Sequence, residues 1–268
     1  MSTSPSTVEA LQSFRAQIEA RLKIARIELA RRVGFEPRGW QVAALQSEAK
    51  RVLYNCTRQG GKSSVTAILA LHNMLYNPGS ATLVVSEAER QSKNMLKKIR
   101  AFYSALRRPE RPIYESRTEL QLPSGSFVVA LPGTSGASRS FSGVSLLIID
   151  EAARVMEEAI NAATPTQSTV PGARLVALSS PNGKRGMFYD WWVNGGDEWE
   201  RHTATWNECP WISPEFIEHE RARMPEAVFA QEYMCEFRET EESAFSYSDI
   251  ERAFQKGVET WDLSGGGS

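Results

Sequence analysis

The stretch RVLYNCTRQGGKSS, residues 51–64, constrains this chain more than any other. A mainly apolar run without polar alternation needs burial on both faces, which a central strand of a parallel sheet provides. After Gly60-Gly61 the apolar positions recur at helical spacing from Lys62 to Tyr76, where Asn77-Pro78-Gly79 stops them. Strand, glycine turn, helix is the setting in which a phosphate-binding loop works. Gly60 and Gly61 let the backbone approach a ligand without a Cβ in the way. The N–H groups of Gln59, Gly60, Gly61 and Lys62 can then surround phosphate oxygens at a helix N-terminus. In such a site Lys62 bridges the β- and γ-phosphates of ATP, and the Ser63 hydroxyl, with Ser64 beside it, serves Mg2+. Cys56 stands where the usual pattern has its first glycine. It closes the strand, and the phosphate grip is expected to begin at Arg58. The alternative is a basic turn with an accidental Gly-Lys-Ser.

The alternation continues downstream. ATLVVS (81–86), SLLIID (145–150) and ARLVALSS (173–180) read as buried strands, and 87–106 and 186–193 as helices. ELQLPSGSFVVALP (119–132) reads as a hairpin turning at Pro123-Ser124-Gly125. HTATW (202–206) is a candidate last strand, and Pro214–Arg223 and Pro225–Tyr233 are short helices opened by proline. Ahead of all this, residues 7–33 carry an amphipathic helix with Arg15, Arg21, Arg26, Arg31 and Arg32 on its outer face, ended by Gly34. The expected fold is α/β, a mostly parallel sheet flanked by helices. Its divisions are an N-terminal helix (1–34), a core (35–200), a small helical subdomain (201–255) and a Gly/Ser tail (256–268).

A second motif gives the loop its chemistry. LLIIDE (146–151) is an apolar strand ending in two acids. Asp150 at the strand's carboxyl end suits the Mg2+ shell, and Glu151 suits a general base for water attacking the γ-phosphate. Taken alone, the acids fit equally a cap on a following helix. The two motifs together, each after a strand, point to nucleotide hydrolysis. Three weaker features join them. Ser179 and Ser180, in SSPNGKRG (179–186), are placed to bond the γ-phosphate or the lytic water, although Pro-Asn-Gly is also ordinary turn chemistry. Gln41, in FEPRGWQ, has an amide able to pair with adenine N6 and N7. Arg139, in the Gly/Ser-rich GASRSFSG, is on a loop from which a guanidinium can reach phosphate in its own subunit or a neighbour's.

Composition leaves the partner open. Lys plus Arg number 31 and Asp plus Glu 32, so the net charge is −1 and a nucleic-acid contact would need a local basic patch. The candidates are Lys97, Lys98, Arg107, Arg108, Arg111 and Arg117. The three cysteines form no CxxC pair, which argues against a zinc site or disulfide framework and for a reducing cytoplasm. No apolar run approaches the roughly 18 residues that cross a membrane, and no membrane partner is expected.

Taken together, these motifs resemble the large terminase subunits, the DNA-packaging motors of tailed bacteriophages. CTRQGGKSS is similar to the deviant phosphate loop of that family, and FEPRGWQ to its adenine motif. LLIIDEAARV is similar to its acidic strand, and SSPNGKRGMFY to its coupling motif. PEAVFAQEYMCEF (225–237), with an aromatic near Phe245, resembles the end of its lid. The resemblance implies a phosphate-loop NTPase fold of RecA/ASCE type and an ATPase that translocates double-stranded viral DNA into a procapsid. It implies that Lys62 and Ser63 serve phosphate and Mg2+, that Asp150 is the metal-shell acid and Glu151 the base, and that Ser179 and Ser180 couple hydrolysis to movement. Arg58 would sense or reach across the γ-phosphate. Arg139 falls where the family often shows Arg-Gly, here with Ser140 in place of the glycine, and is the candidate trans-acting finger. The partners implied are DNA phosphates, a portal protein, the small terminase subunit and a homo-oligomeric ring of about five copies, in the host bacterial cytoplasm. The family continues into a nuclease domain that this chain stops short of, so an isolated ATPase domain that does not cut DNA is expected. A DExx-box helicase core and a protein using ATP only as a structural ligand are the competing readings. The first would need a second RecA-like domain, and the second has no use for Glu151.

Overall fold

A computed structural model describes residues 26–133 and 136–239 of the chain. Helix α1 covers 26–32 and ends at Gly34, whose φ of 81° is open to glycine at no steric cost. The expected helix over 7–25, with Arg15 and Arg21, lies outside the described residues, as do Phe245 and the tail. Then follow α2 (Trp40–Gln46), β1 (Arg51–Cys56), α3 (Lys62–Tyr76), β2 (Ala81–Ser86), α4 (Glu89–Ala105), β3 (Tyr114–Glu115), β4 (Glu119–Gln121) and β5 (Phe127–Pro132). A 3-10 turn over Gly136–Ser140 leads to β6 (Val144–Asp150), α5 (Glu157–Ala163), β7 (Arg174–Ser179), α6 (Gly186–Asn194), β8 (Glu200–Ala204), α7 (Pro214–Arg223) and α8 (Glu226–Met234).

The strands form one sheet in the order β3-β4-β5-β2-β6-β7-β1-β8. From β5 to β8 every pairing is parallel, and only the β3-β4-β5 edge is antiparallel. The lack of polar alternation has its explanation here, since alternate residues of each central strand enter different cores. Tyr54, Leu146 and Ile148 join one core with α1 to α4, and Leu53, Leu147 and Ile149 join the other with α5 and α6. Each core supplies the apolar burial that a two-sided α/β layer needs. The carboxyl ends of β1, β7 and β6 lie side by side, so Cys56, Ser179 and Asp150 arrive at one edge of the sheet. That edge is where ligands bind in open α/β sheets.

Two expectations are corrected. Arg26 is not on a solvated helix face. It is 7% exposed, and Nη1 donates to Leu45 O (3.1 Å) and Ser47 O (3.0 Å) and pairs with Glu48 (2.9 Å). Arg31 and Arg32 do face solvent. The division between core and helical subdomain is not at residue 201. Arg201–Ala204 pair with β1 as the last parallel strand, so the helical part begins after Ala204. It packs on the core through Ile212, Ile217, Phe229 and Tyr233.

Candidate active site

The loop Thr57–Gly61 joins β1 to α3 and turns sharply. Gln59 and Gly61 have φ of 59° and 88°. A Cβ on Gly61 would collide with Gln41 Nε2, and one on Gly60 would come 3.0 Å from Thr57 O. Gly61 is therefore favoured by torsion and by space, and Gly60 by space alone. The loop's carbonyls are held from outside. Gly60 O accepts from Trp40 Nε1 (3.1 Å) and Gln41 Nε2 (3.1 Å), and Gln59 O accepts from Trp211 Nε1 (2.9 Å). Lys62, 7% exposed, donates to Cys56 O and Thr57 O, both at 3.1 Å. Its ammonium stands over the loop, 3.9 Å from Glu151 Oε1.

Several of the expected site groups bond within the protein. Gln41 is buried, and its amide also accepts from Arg38 N (3.0 Å). Its amide nitrogen thus braces the phosphate loop at Gly60 O, while its oxygen holds the turn that opens α2. The backbone grip does not begin at Arg58, whose N–H donates to Glu232 O of α8 (3.0 Å), and Gly60 N turns back to Thr57 O (3.2 Å). The Arg58 side chain is 65% exposed and stands 4.0 Å from Glu232 Oε2.

Opposite the loop, β6 delivers Asp150 and Glu151. Asp150 is 6% exposed, and burial, then the neighbouring Glu151 carboxylate, raise it to about 7 against the pull of Lys62. Glu151 has a left-handed backbone, φ 55°, uncommon for a residue with a Cβ and typical of functional turns. It aims the carboxylate into a cleft of about 310 Å3 shared with Arg58, Glu87, Gln91, Arg154, Ser180 and Glu232. Ser179 Oγ donates to Glu151 Oε2 (3.4 Å), and Ser180 Oγ to Glu232 Oε2 (2.9 Å). Both serines thus bond acids, not open space.

Arg139 does not enter this cleft. It is exposed on the 3-10 turn and lines a separate cavity of about 580 Å3 with Phe141, Glu158 and Thr166. Lys98, expected on a DNA-facing surface, turns inward instead. Its ammonium donates to Ser64 Oγ (3.2 Å), and burial lowers its pKa against the opposing pull of Asp150. Lys97, Arg107, Arg108, Arg111 and Arg117 are exposed. Sequence reasoning missed Arg154 and Glu232. Arg154 is the third residue after Glu151, a spacing that puts it in reach of the acid, but nothing local marks Glu232.

The donor set fits a hard divalent cation. Ser63 and Asp150 offer oxygens, and the high pKa of Asp150 reflects a buried carboxylate whose charge lacks full compensation. Among the described residues no group of three His, Cys, Asp or Glu could hold a metal unaided. Mg2+ needs no such cage, since it is bound by one or two protein oxygens together with substrate phosphates.

Comparisons with known proteins agree with this geometry. The profile of the family described as "Terminase large subunit, T4likevirus-type, N-terminal" matches residues 53–252. The large terminase subunits of Thermus phage G20c and Thermus virus P23-45 are each 26% identical over 258 residues, covering 81% of this chain and 52% of their own length. The chain spans about half the length of these relatives. The large terminase ATPase domain of Thermus phage P74-26 has a TM-score of 0.66 at 21% identity, over 78% of this chain and 96% of that one. The HK97 bacteriophage large terminase has 0.63 at 15%, over 74% and 50%. The large terminase of a thermophilic bacteriophage, in complex with ADP, has 0.60 at 12%, over 71% and 49%. At these identities the likeness is one of fold, the ASCE type of phosphate-loop α/β domain.

Proposed function

Because this chain belongs to the T4-type large terminase N-terminal family, we propose that it binds ATP in this cleft, hydrolyses it, and in the complete protein drives double-stranded DNA into a viral procapsid. The observation that carries the reading is the meeting of Lys62 and Glu151 at 3.9 Å, one from the phosphate loop and one from the acidic strand. A phosphate cation and a general base are thereby brought to one point. The Lys62 ammonium, held by two loop carbonyls, exchanges them for phosphate oxygens. The Glu151 carboxylate takes the proton of the attacking water. Ser63 and Asp150 would hold Mg2+, which when bound neutralises charge on the β- and γ-phosphates. Lys98 and Ser64 add a donor pair at the base of α3. Arg139 acts on a neighbour's nucleotide, a role suited to an exposed arginine outside its own cleft, and Arg58 covers the cleft mouth.

In the assembled motor about five copies form a ring on a portal protein, with the small terminase subunit delivering DNA in the host cytoplasm. The residues after Ala204 act as a lid. DNA is gripped through phosphates without base reading, by the exposed Arg107, Arg108, Arg111 and Arg117. Among the described residues no helix is long and apolar enough to cross a membrane.

Phosphate release measured against protein concentration tests the reading. Turnover is expected to rise steeply with concentration. Glu151→Gln should lower it by about 100-fold or more while ATP binding persists. Arg139→Ala should also abolish it, and mixing with Glu151→Gln subunits should restore it. Concentration-independent turnover with strand separation would overturn the motor reading in favour of a helicase.

A further inference from the structure

Arg154 and Glu232 join three parts of the cleft, the phosphate loop, the acidic strand and the turn after β7. Arg154 Nη1 reaches Glu151 Oε2 at 3.4 Å and Ser180 Oγ at 3.3 Å, while Nη2 donates to Glu232 Oε1 at 2.9 Å. Glu232 lies on α8, and its side chain is only 11% exposed. Its second oxygen accepts from Ser180 (2.9 Å), and its backbone carbonyl accepts from Arg58 N (3.0 Å) and Thr57 Oγ1 (3.2 Å). One residue of the helical subdomain thus touches the phosphate loop, the serine turn after β7 and, through Arg154, the carboxylate of the acidic strand.

A guanidinium serving two carboxylates is divided between them, and its fork geometry makes the shorter contact the stronger one. Here the shorter contact goes to Glu232 and the longer to Glu151. We propose that Arg154 is the positioning residue for Glu151, and that Glu232 sets how much of Arg154 the base receives, so that the helical subdomain governs alignment of the base. This rests on the reading of Glu151 as general base. Among the described residues, Lys62, Arg154 and Ser179 are the side chains that hold the Glu151 carboxylate. Once Lys62 turns to phosphate, Arg154 and Ser179 remain. Moving α8 away from the cleft separates Glu232 from Arg154, and the guanidinium then turns fully to Glu151. The same motion pulls on Thr57 and Arg58 through the Glu232 carbonyl, so the loop and the base respond together.

The test uses the 268-residue chain with Arg154→Gln, Arg154→Lys, Glu232→Gln and the Arg154→Gln/Glu232→Gln pair, beside Glu151→Gln. Single-turnover hydrolysis, affinity for a slowly hydrolysed ATP analogue and hydrogen exchange across 226–234 are measured. Arg154→Gln should slow hydrolysis by about 10–100-fold, the scale of a misplaced reacting group, with analogue affinity within about threefold. Arg154→Lys should recover part of that loss. Glu232→Gln should speed hydrolysis several-fold, because Arg154 is then undivided, and should raise exchange in α8 about tenfold. In the Arg154→Gln background Glu232→Gln should change neither quantity further. A merely structural Glu232 would slow hydrolysis when altered, and that result overturns the proposal. So does an Arg154→Gln rate within twofold of wild type while Glu151→Gln is inactive, an outcome that leaves the ATPase reading standing. If Glu151→Gln hydrolyses normally, the ATPase reading itself fails. Should turnover be too slow to follow, the exchange arm decides, since unchanged α8 exchange in Arg154→Gln overturns the link. If Arg154→Gln does not fold because the buried Glu232 carboxylate loses its close cation, the double variant, which removes that carboxylate as well, is compared with Glu232→Gln alone.

Discussion

The two walls of the cleft are held by different means. The phosphate loop is fixed by neutral bonds to its carbonyls from Trp40, Gln41 and Trp211. The acidic wall is fixed by shared charge, with Arg154 divided between Glu151 and Glu232. Neutral bonds to backbone keep one geometry whatever the ligand. Ion pairs redistribute when a phosphate brings new charge among them. One wall is therefore a preformed receptacle, and the other an adjustable one.

The contrast can be broken from either side. The largest effect belongs to the buried cation of the loop wall. Lys62→Met should weaken nucleotide binding about 100-fold, roughly 3 kcal/mol, since it removes charge-assisted bonds, and equilibrium titration with a fluorescent analogue reads this directly. Gly61→Ala attacks the same wall by shape. With φ at 88° and Gln41 against the added carbon, it should cost about 1–3 kcal/mol in urea unfolding and disturb binding without altering charge. A third measurement sets the pH window in which the charged wall can be studied. His72, on α3, is 3% exposed, and burial, with Arg26 and Arg174 nearby, lowers its pKa from 6.5 to about 3. The unfolded chain takes up a proton that the folded chain refuses. Stability is thus constant above about pH 6.5 and lost as pH falls from there toward 3. By pH 5 the loss should be about 2 kcal/mol, and His72→Gln should flatten that limb in denaturant midpoints. The smallest effect is expected from Trp211→Phe, which removes one neutral bond to Gln59 O. About 1 kcal/mol of stability and a few-fold of affinity should go. A much larger change would mean that the loop wall is no more preformed than its counterpart.

How much of this was legible in the sequence follows from the range of the forces involved. β1, β2, β6 and β7 were readable because burial on both faces leaves uninterrupted apolar runs. The bounds of α3 were readable because Gly61 and Asn77-Pro78-Gly79 punctuate them. β3 was missed, since two exposed residues, Tyr114 and Glu115, carry no burial pattern. α2 and α5 were missed because seven residues span barely two turns of periodicity. Among site residues, Lys62, Asp150 and Glu151 sit at motif positions whose chemistry is local. The bond between Arg154 and Glu232 spans 78 residues, and that between Lys98 and Ser64 spans 34. Neither distance leaves a trace in a local pattern. Arg26 pointed inward for the same reason, its carbonyl partners lying 19 and 21 residues away.

Cys56, Cys209 and Cys235 are far apart in sequence, yet all three are buried free thiols close enough to influence one another. One ends β1, one follows β8, and one caps α8, so between them they sit on the phosphate loop's strand, the link out of the sheet and the helical subdomain. Burial pushes all three upward, Cys209 to about 11 and Cys235 to about 12. A closed molecule therefore resists alkylating reagents, which attack the thiolate. Each modified cysteine records an opening of the molecule that uncovers its thiol, so the rate of labelling is a clock for such opening that needs no attached probe.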